Sequence, residues 1–158
     1  MNHHPTTEQI ERPQLSIIVV SFNTCRILQK CLQKLDEETR GIRTEVIVVD
    51  NHSKDQSADM VEREFPHFAL VRSKINLGFA AANNVGFAKA QGKYIVLLNP
   101  DAFLKPGALQ ASYDNMELMP HVGLAGGRLE DQQGQLQPSG RMFPSLLNEL
   151  LVISGLAA

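Results

Sequence analysis

Cysteine is scarce in this chain, runs of Lys or Arg are missing, and no apolar stretch is long enough to span a bilayer. The two cysteines, Cys25 and Cys31, fall in one expected helix, on different faces and too far apart to bridge. Both are expected as reduced thiols, because no second Cys or His pair stands at metal-ligand spacing. His3 and His4 belong to a polar N-terminal segment, residues 1–14, which also carries Pro5, Glu8, Glu11, Arg12 and Pro13. That segment has no apolar core, so no secretory leader is expected and the expected compartment is the cytoplasm. A net charge of −2 without a basic stripe argues against a nucleic-acid partner.

Three nucleotide-binding signatures are also missing. No G-x-G-x-x-G follows the first expected strand, which argues against a dinucleotide fold, and no G-K-[ST] marks a P-loop. The first strand ends in Ser21-Phe22-Asn23, without the carboxylate cluster of a phosphate-accepting receiver.

What is present is one domain's worth of chain: 158 residues, 43% hydrophobic and 20% charged. That is enough to bury a core without metal or disulfide support. Leu15–Phe22 is a short β-branched run that predicts a strand buried on both faces. Ile27, Leu28, Cys31, Leu32 and Leu35 recur at helical spacing, with Gly41 as the stop. Glu45–Asp50 predicts a second strand, and Ser53 with Gln56 has the pattern of a capping box opening a second helix. Phe68–Arg72 predicts a third strand. An alanine-rich helix follows Asn76, small where it must approach the sheet and ending at Gly92. Tyr94–Leu98 predicts a fourth strand, Pro106 the first turn of a helix through Met116, and Val122–Ala125 a fifth strand. Leu129–Leu136, around Gly134, predicts a hairpin loop. Strands alternating with helices imply an α/β fold with a parallel sheet and right-handed crossovers.

Ligands of such sheets bind at the carboxyl ends of the strands, and here all four ends are polar. They are Ser21-Phe22-Asn23, then Asp50, Asn51 and Ser53, then Arg72, Ser73 and Asn76, then Asn99-Pro100-Asp101. This set suits a nucleoside diphosphate. A pyrimidine imide can be read by a carboxylate or amide after strand two, and the diphosphate can be neutralised by Mg2+ or Mn2+ held by oxygen ligands. Asp101, on a turn fixed by Pro100, is the best-placed carboxylate for the metal. Taken singly, each of these pieces is also ordinary turn chemistry.

Four segments carry a family resemblance: Ser16-Ile-Ile-Val-Val-Ser-Phe-Asn, Val46-Ile-Val-Val-Asp-Asn-His-Ser-Lys-Asp, Asn76-Leu-Gly-Phe-Ala-Ala-Ala-Asn-Asn and Leu97-Leu-Asn-Pro-Asp-Ala. In this order, over about Leu15 to Pro144, the chain resembles the family 2 glycosyltransferases, and within them the rhamnosyltransferase-like branch. Leu136-Gln-Pro-Ser-Gly-Arg-Met-Phe-Pro-Ser is similar to that branch too. The resemblance implies a Rossmann-like, A-type fold and an inverting, metal-assisted transfer from a nucleoside-diphosphate sugar. A deoxythymidine diphosphate–rhamnose donor and a cell-surface polysaccharide or lipid-linked acceptor follow from the branch.

The resemblance further implies that Asp101 alone inherits the metal role of an Asp-x-Asp motif, since Asn99 stands at the first position. Asn51 replaces a second acidic residue after strand two, and Asn83-Asn84 stand where many members carry an Arg near the diphosphate. Gly78 joins the expected donor set. The expected domain runs over 15–145. The apolar segment 146–158 is expected to begin an acceptor half that, with the general base, lies beyond the chain end. Its Leu146, Leu147, Leu150, Leu151, Val152 and Ile153 are expected to support self-association, or to rest at the inner face of a membrane. Asn148 and Glu149 disfavour insertion. Two other readings stand beside this one. A sugar-nucleotide-making nucleotidyltransferase would need a glycine-rich basic loop after strand one, which is missing. A catalytically incomplete nucleotide-binding or interaction module would use the same residues without turnover.

Overall fold

In the computed structural model of the protein, residues 12–131 and 133–137 are described. The chain divides into two compact units, the first ending at His121 and the second beginning at Val122. The first is a four-stranded, all-parallel sheet built from β1 (Leu15–Ser21), β2 (Thr44–Asp50), β3 (Ala69–Arg72) and β4 (Tyr94–Leu98), in the order β3-β2-β1-β4. The helices are α1 (Cys25–Glu38), α2 (Ser57–Glu64), α3 (Phe79–Phe87) and α4 (Ala108–Leu118).

β1 is central, and every residue of it is buried, as its unbroken apolar run requires. One face of the sheet packs Ile17, Val19, Val46 and Val48 against Leu28, Leu32 and Leu35 of α1, Met60 and Val61 of α2, and Leu109 of α4. The other face packs Ile18, Val20, Ile47 and Val49 against α3 through Ala82. A Cβ at Gly86 would sit 2.5 Å from Ile18 Cγ2, so the small residues of α3 do allow close approach to the sheet. β4 is an edge, with Ile95 and Leu97 partly exposed on the α3 side.

Several local expectations are corrected. α2 is not opened by a Ser53–Gln56 box. Asp55 takes that role, its Oδ1 accepting from the Ser57 N–H at 3.0 Å and from the Ser57 hydroxyl at 2.5 Å. Ser53 is instead drawn to the loops beside it, its N–H donating to Asp50 Oδ2 at 3.1 Å. α3 stops at Phe87 rather than at Gly92. Gly92 passes β1 so closely that a Cβ would lie 2.5 Å from the Ser16 nitrogen. Pro106 precedes α4 rather than opening it, because Gly107 (φ 78°) makes the left-handed step at the helix entrance. In the second unit Val122–Ala125 forms no strand. Gly123 interrupts the run and Gly126 and Gly127 follow it, Leu124 is 91% exposed, and nothing among the described residues pairs with it.

The hairpin expected at Leu129–Leu136 is present as an antiparallel bridge between Glu130 and Leu136, closed by Gly134 at φ 78°. Asp131 Oδ1 accepts from the Gln133 and Gln135 N–H groups there, which gives it a turn role. The apolar segment 146–158, most of the polar N-terminal segment and the branch-like residues beyond Gln137 lie outside the described residues.

Candidate functional site

A strand order of β3-β2-β1-β4 reverses direction between β1 and β4, and the crevice outside the carboxyl ends at such a reversal is where α/β sheets bind ligands. A cleft of about 600 Å3 lies there. Phe22 and Thr24 after β1, Ile27 on α1, Asn51 after β2, Asn76, Gly78 and Phe79 after β3, and Asn99-Pro100-Asp101 after β4 line it, with Val20 behind. Six residues expected from the sequence thus meet in one cleft: Phe22, Asn51, Asn76, Gly78, Asn99 and Asp101.

The other expected residues sit elsewhere. Ser21 is buried, its hydroxyl sharing a 2.8 Å hydrogen bond with that of Thr24. Asn23 (φ 55°) ties two loops together: its N–H donates to Ser53 Oγ at 2.9 Å and its Oδ1 accepts from the Lys54 N–H at 2.7 Å. Asn83 is 5% exposed and donates within its own helix to the Phe79 carbonyl at 2.9 Å. Asn84, one position on, is exposed and is not among the lining residues. The i to i−4 bond ties one hydrogen of Asn83 Nδ2 to its own helix, and Asn83 is not among the residues lining the cleft.

Asp50 ends β2 next to the lining residue Asn51 and is 4% exposed. Its Oδ2 is satisfied by Ser53, whereas Oδ1 is the one buried side-chain oxygen or nitrogen without a hydrogen bond among the described residues. A buried carboxylate oxygen left unpaired is costly, and it marks a place for a donor from water or ligand.

Asp101 is exposed on a tight turn closed by the Ala102 N–H donating to the Asn99 carbonyl at 3.0 Å. It is the only charged residue lining the cleft among the described residues. No cluster of three His, Cys, Asp or Glu side chains placed to hold a metal exists among the described residues, so these build no closed metal cage. One open carboxylate fits Mg2+ or Mn2+, which keep waters and share phosphate oxygens instead of demanding an all-protein shell.

Thr24, Ile27 and Phe79 were not singled out by sequence reasoning. Phe79 follows Gly78 directly, and Thr24 and Ile27 open the helix after the first strand, so the carboxyl-end rule extended by a few residues would have found all three.

Comparison with known proteins places this geometry. Residues 16–151 match the family model described as Glycosyl transferase family 2. The chain is 26% identical over 144 residues to N-acetylglucosaminyl-diphospho-decaprenol L-rhamnosyltransferase of Mycobacterium tuberculosis, covering 84% of this chain and 47% of that protein. It is 32% identical over 142 residues to an uncharacterized glycosyltransferase of Haemophilus influenzae, covering 85% and 56%. Among solved structures, a mannosyltransferase from Pyrobaculum calidifontis in complex with GDP-Man and Mn2+ aligns with a TM-score of 0.57 at 28% identity, over 65% of this chain and 31% of that one. S. aureus TarS aligns with a TM-score of 0.60 at 22% identity, over 68% and 33% in its complex with UDP. The chain spans about half the length of the curated relatives it matches. The A-type fold expected from the resemblance is the fold observed.

Proposed function

The chain belongs to glycosyl transferase family 2, and from that premise we propose that it is the donor-binding part of an inverting glycosyltransferase that takes a nucleoside-diphosphate sugar with a divalent cation. The observation that carries this reading is the cleft at the carboxyl edge of β1, β2 and β4, whose only charged lining residue among the described residues is an exposed carboxylate, Asp101. Among the described lining residues a diphosphate would meet no Lys or Arg, and a counter-ion that Asp101 can help hold would balance its charge. The relatives and neighbours lend support through their own ligands: GDP-Man with Mn2+ in the Pyrobaculum enzyme, UDP in TarS, and a rhamnosyl transfer in the name of the Mycobacterium protein.

Each group of the cleft then has a role. Asp101 would hold the cation, and Asn99 and Pro100 shape the turn that presents it. Phe22, Ile27 and Phe79 supply apolar walls, and the unpaired Asp50 Oδ1 would accept from the nucleoside. A bound Mg2+ or Mn2+ would supply charge neutralisation to the departing diphosphate. In the reaction so proposed, an acceptor hydroxyl oxygen bonds to the anomeric carbon as the bond to the diphosphate breaks, and a base takes the hydroxyl proton. That base is assigned to no residue of this chain.

The branch resemblance and the Mycobacterium relative favour dTDP-rhamnose as donor and a lipid-linked glycan as acceptor, used at the inner face of a membrane in polysaccharide assembly. No helix among the described residues is long and apolar enough to cross a membrane. The apolar residues of 146–158 remain the proposed contact for a second copy of the chain. Calorimetric titration of the full chain with UDP, dTDP and GDP, each with and without MnCl2, tests the reading. Metal-dependent binding of at least one is expected, and no binding by any of them would overturn it.

A further inference from the structure

The side-chain amide of Asn51 is fully engaged inside the protein. Its Oδ1 accepts from the Leu77 N–H at 2.8 Å, and its Nδ2 donates to Asn76 Oδ1 at 3.0 Å and to the Gly78 carbonyl at 3.4 Å. A backbone N–H only donates and a carbonyl only accepts, so Leu77 and Gly78 together permit one orientation of this amide. Asn76 is fixed by the same logic, since the Gly78 N–H donates to its Oδ1 at 2.8 Å. Asn51 is 3% exposed, and both hydrogens of its Nδ2 have partners.

The loop held in this way needs holding. Gly78, at φ 76° and ψ 170°, occupies backbone space that is essentially reserved for glycine, and it stands at the entrance to α3 without a side-chain cap. Asn76 and Gly78 both line the cleft. Asn76 Nδ2, by contrast, has no partner among the described residues, and Asn76 is exposed.

We infer that Asn51 is a positioning residue: it clamps Asn76, Leu77 and Gly78 as one wall of the donor cleft and does not itself read the nucleotide base. The amide left to meet the donor is that of Asn76. This inference rests on the donor-binding reading above and replaces the base contact expected of Asn51 from the sequence. The required chemistry is asymmetric. Position 51 must donate and accept at once, so a carboxylate there sets an oxygen against the Gly78 carbonyl. Both bonds to Asn76 Oδ1 are accepted ones, so a carboxylate at 76 keeps them.

Amide hydrogen exchange of the unliganded full chain, read by NMR, tests the clamp directly. Asn51→Ala should speed exchange at Leu77 and Gly78 about tenfold or more, while Val46–Val49 stay protected. Asn76→Asp should leave the Leu77 and Gly78 amides protected. In titrations with Mn2+, Asn51→Ala and Asn51→Asp should each weaken whichever of UDP, dTDP and GDP the wild type binds by roughly tenfold, the loss of one or two hydrogen bonds, irrespective of base. Unchanged exchange at Leu77 and Gly78 in Asn51→Ala would overturn the inference. So would wild-type affinity for UDP and dTDP in Asn51→Asp, because a carboxylate that accepts from the base imide is what direct base reading requires. If the wild type binds none of the three nucleotides, the donor reading fails, and the exchange comparison still decides whether the clamp exists.

Discussion

The buried thiol of Cys31 donates to the carbonyl oxygen of Ala102 at 3.3 Å and lies 3.7 Å from that of Asn99, so the middle of α1 grips both ends of the turn that carries Asp101. Burial, and then the nearby Asp101 carboxylate, push the Cys31 thiol up from 9.0 to about 11. The thiol therefore stays protonated and able to donate across the ordinary pH range.

Two outcomes are expected at Cys31. Thiolate is the reactive form, so at about pH 8 an alkylating reagent should label Cys25 well before Cys31, with Cys31 labelling rising toward about pH 11. A folded-state pKa above the ordinary value means the native chain keeps a proton that the unfolded chain sheds between about 9 and 11. Stability from this group is present below about pH 9 and is lost as pH rises through that window. Denaturant midpoints for wild type and Cys31→Val across the window check it, and the extra downward slope should vanish in the variant.

Asp55 serves two helices at once. Its Oδ2 accepts from the Cys25 N–H at the start of α1 at 3.0 Å, and its Oδ1 accepts from the N–H and hydroxyl of Ser57 at the start of α2. Desolvation raises its pKa, but the bonds from Ser57 and Cys25 outweigh it and the carboxyl ends below its ordinary range. A depressed carboxylate stabilises above its unfolded value, and that contribution disappears as pH falls through the lowered one. Asp55→Ala should cost about 1 kcal/mol, typical of a lost cap, near neutral pH and little in strong acid. Urea melts at the two pH values measure this.

Much of this was legible beforehand because the strands are continuous β-branched runs. β1, β2 and β4 fall within a residue of where Leu15–Phe22, Glu45–Asp50 and Tyr94–Leu98 place them. The carboxyl-end rule then gathered Phe22, Asn51, Asn76, Asn99 and Asp101 without coordinates. What stayed hidden depends on partners far along the chain. Nothing local distinguishes Asn51 as a clamp, since its partners lie 25 to 27 residues on. Nothing at Ser53 shows that Asp55 will cap α2 and Asn23 will draw Ser53 away. Val122–Ala125 has the composition of a strand, yet a strand needs a neighbour's hydrogen bonds as well as its own side chains.

Gly92 offers a test of the lower end of the sheet. Its N–H donates to Ser16 Oγ at 2.7 Å and to Glu45 Oε1 at 3.2 Å, and Ser16 Oγ donates to the same Glu45 oxygen at 2.5 Å. A Cβ there would meet the backbone of Leu15 and Ser16, which cannot give way as a flexible side chain can. Gly92→Ala should therefore destabilise the fold by about 1–3 kcal/mol without changing the cleft. Thermal melts should drop, and nucleotide affinity measured well below the melting temperature should not.

Asp101 and Asp50 should separate cleanly in binding. Asp101 is exposed at the mouth of the cleft, and its proposed partner is the cation. Asp50 is buried next to the lining residue Asn51 with Oδ1 unpaired, and its proposed partner is the nucleoside. A nucleotide at about a hundredfold over its dissociation constant stabilises a protein by ~2.7 kcal/mol, for a chain of this size a rise in Tm of roughly 5–10 °C. Asp101→Asn keeps the size and turn-forming character of the side chain, so the unliganded Tm should hold while the Mn2+-dependent part of the shift disappears. Asp50→Ala should reduce the shift with and without Mn2+. Its unliganded Tm should change little, because removing the buried unpaired Oδ1 offsets the loss of the Oδ2 that accepts from the Ser53 N–H. A shift that remained equally Mn2+-dependent in Asp101→Asn would place the metal elsewhere. A normal shift in Asp50→Ala would leave the buried oxygen with a water for its partner and the nucleoside to the walls of the cleft.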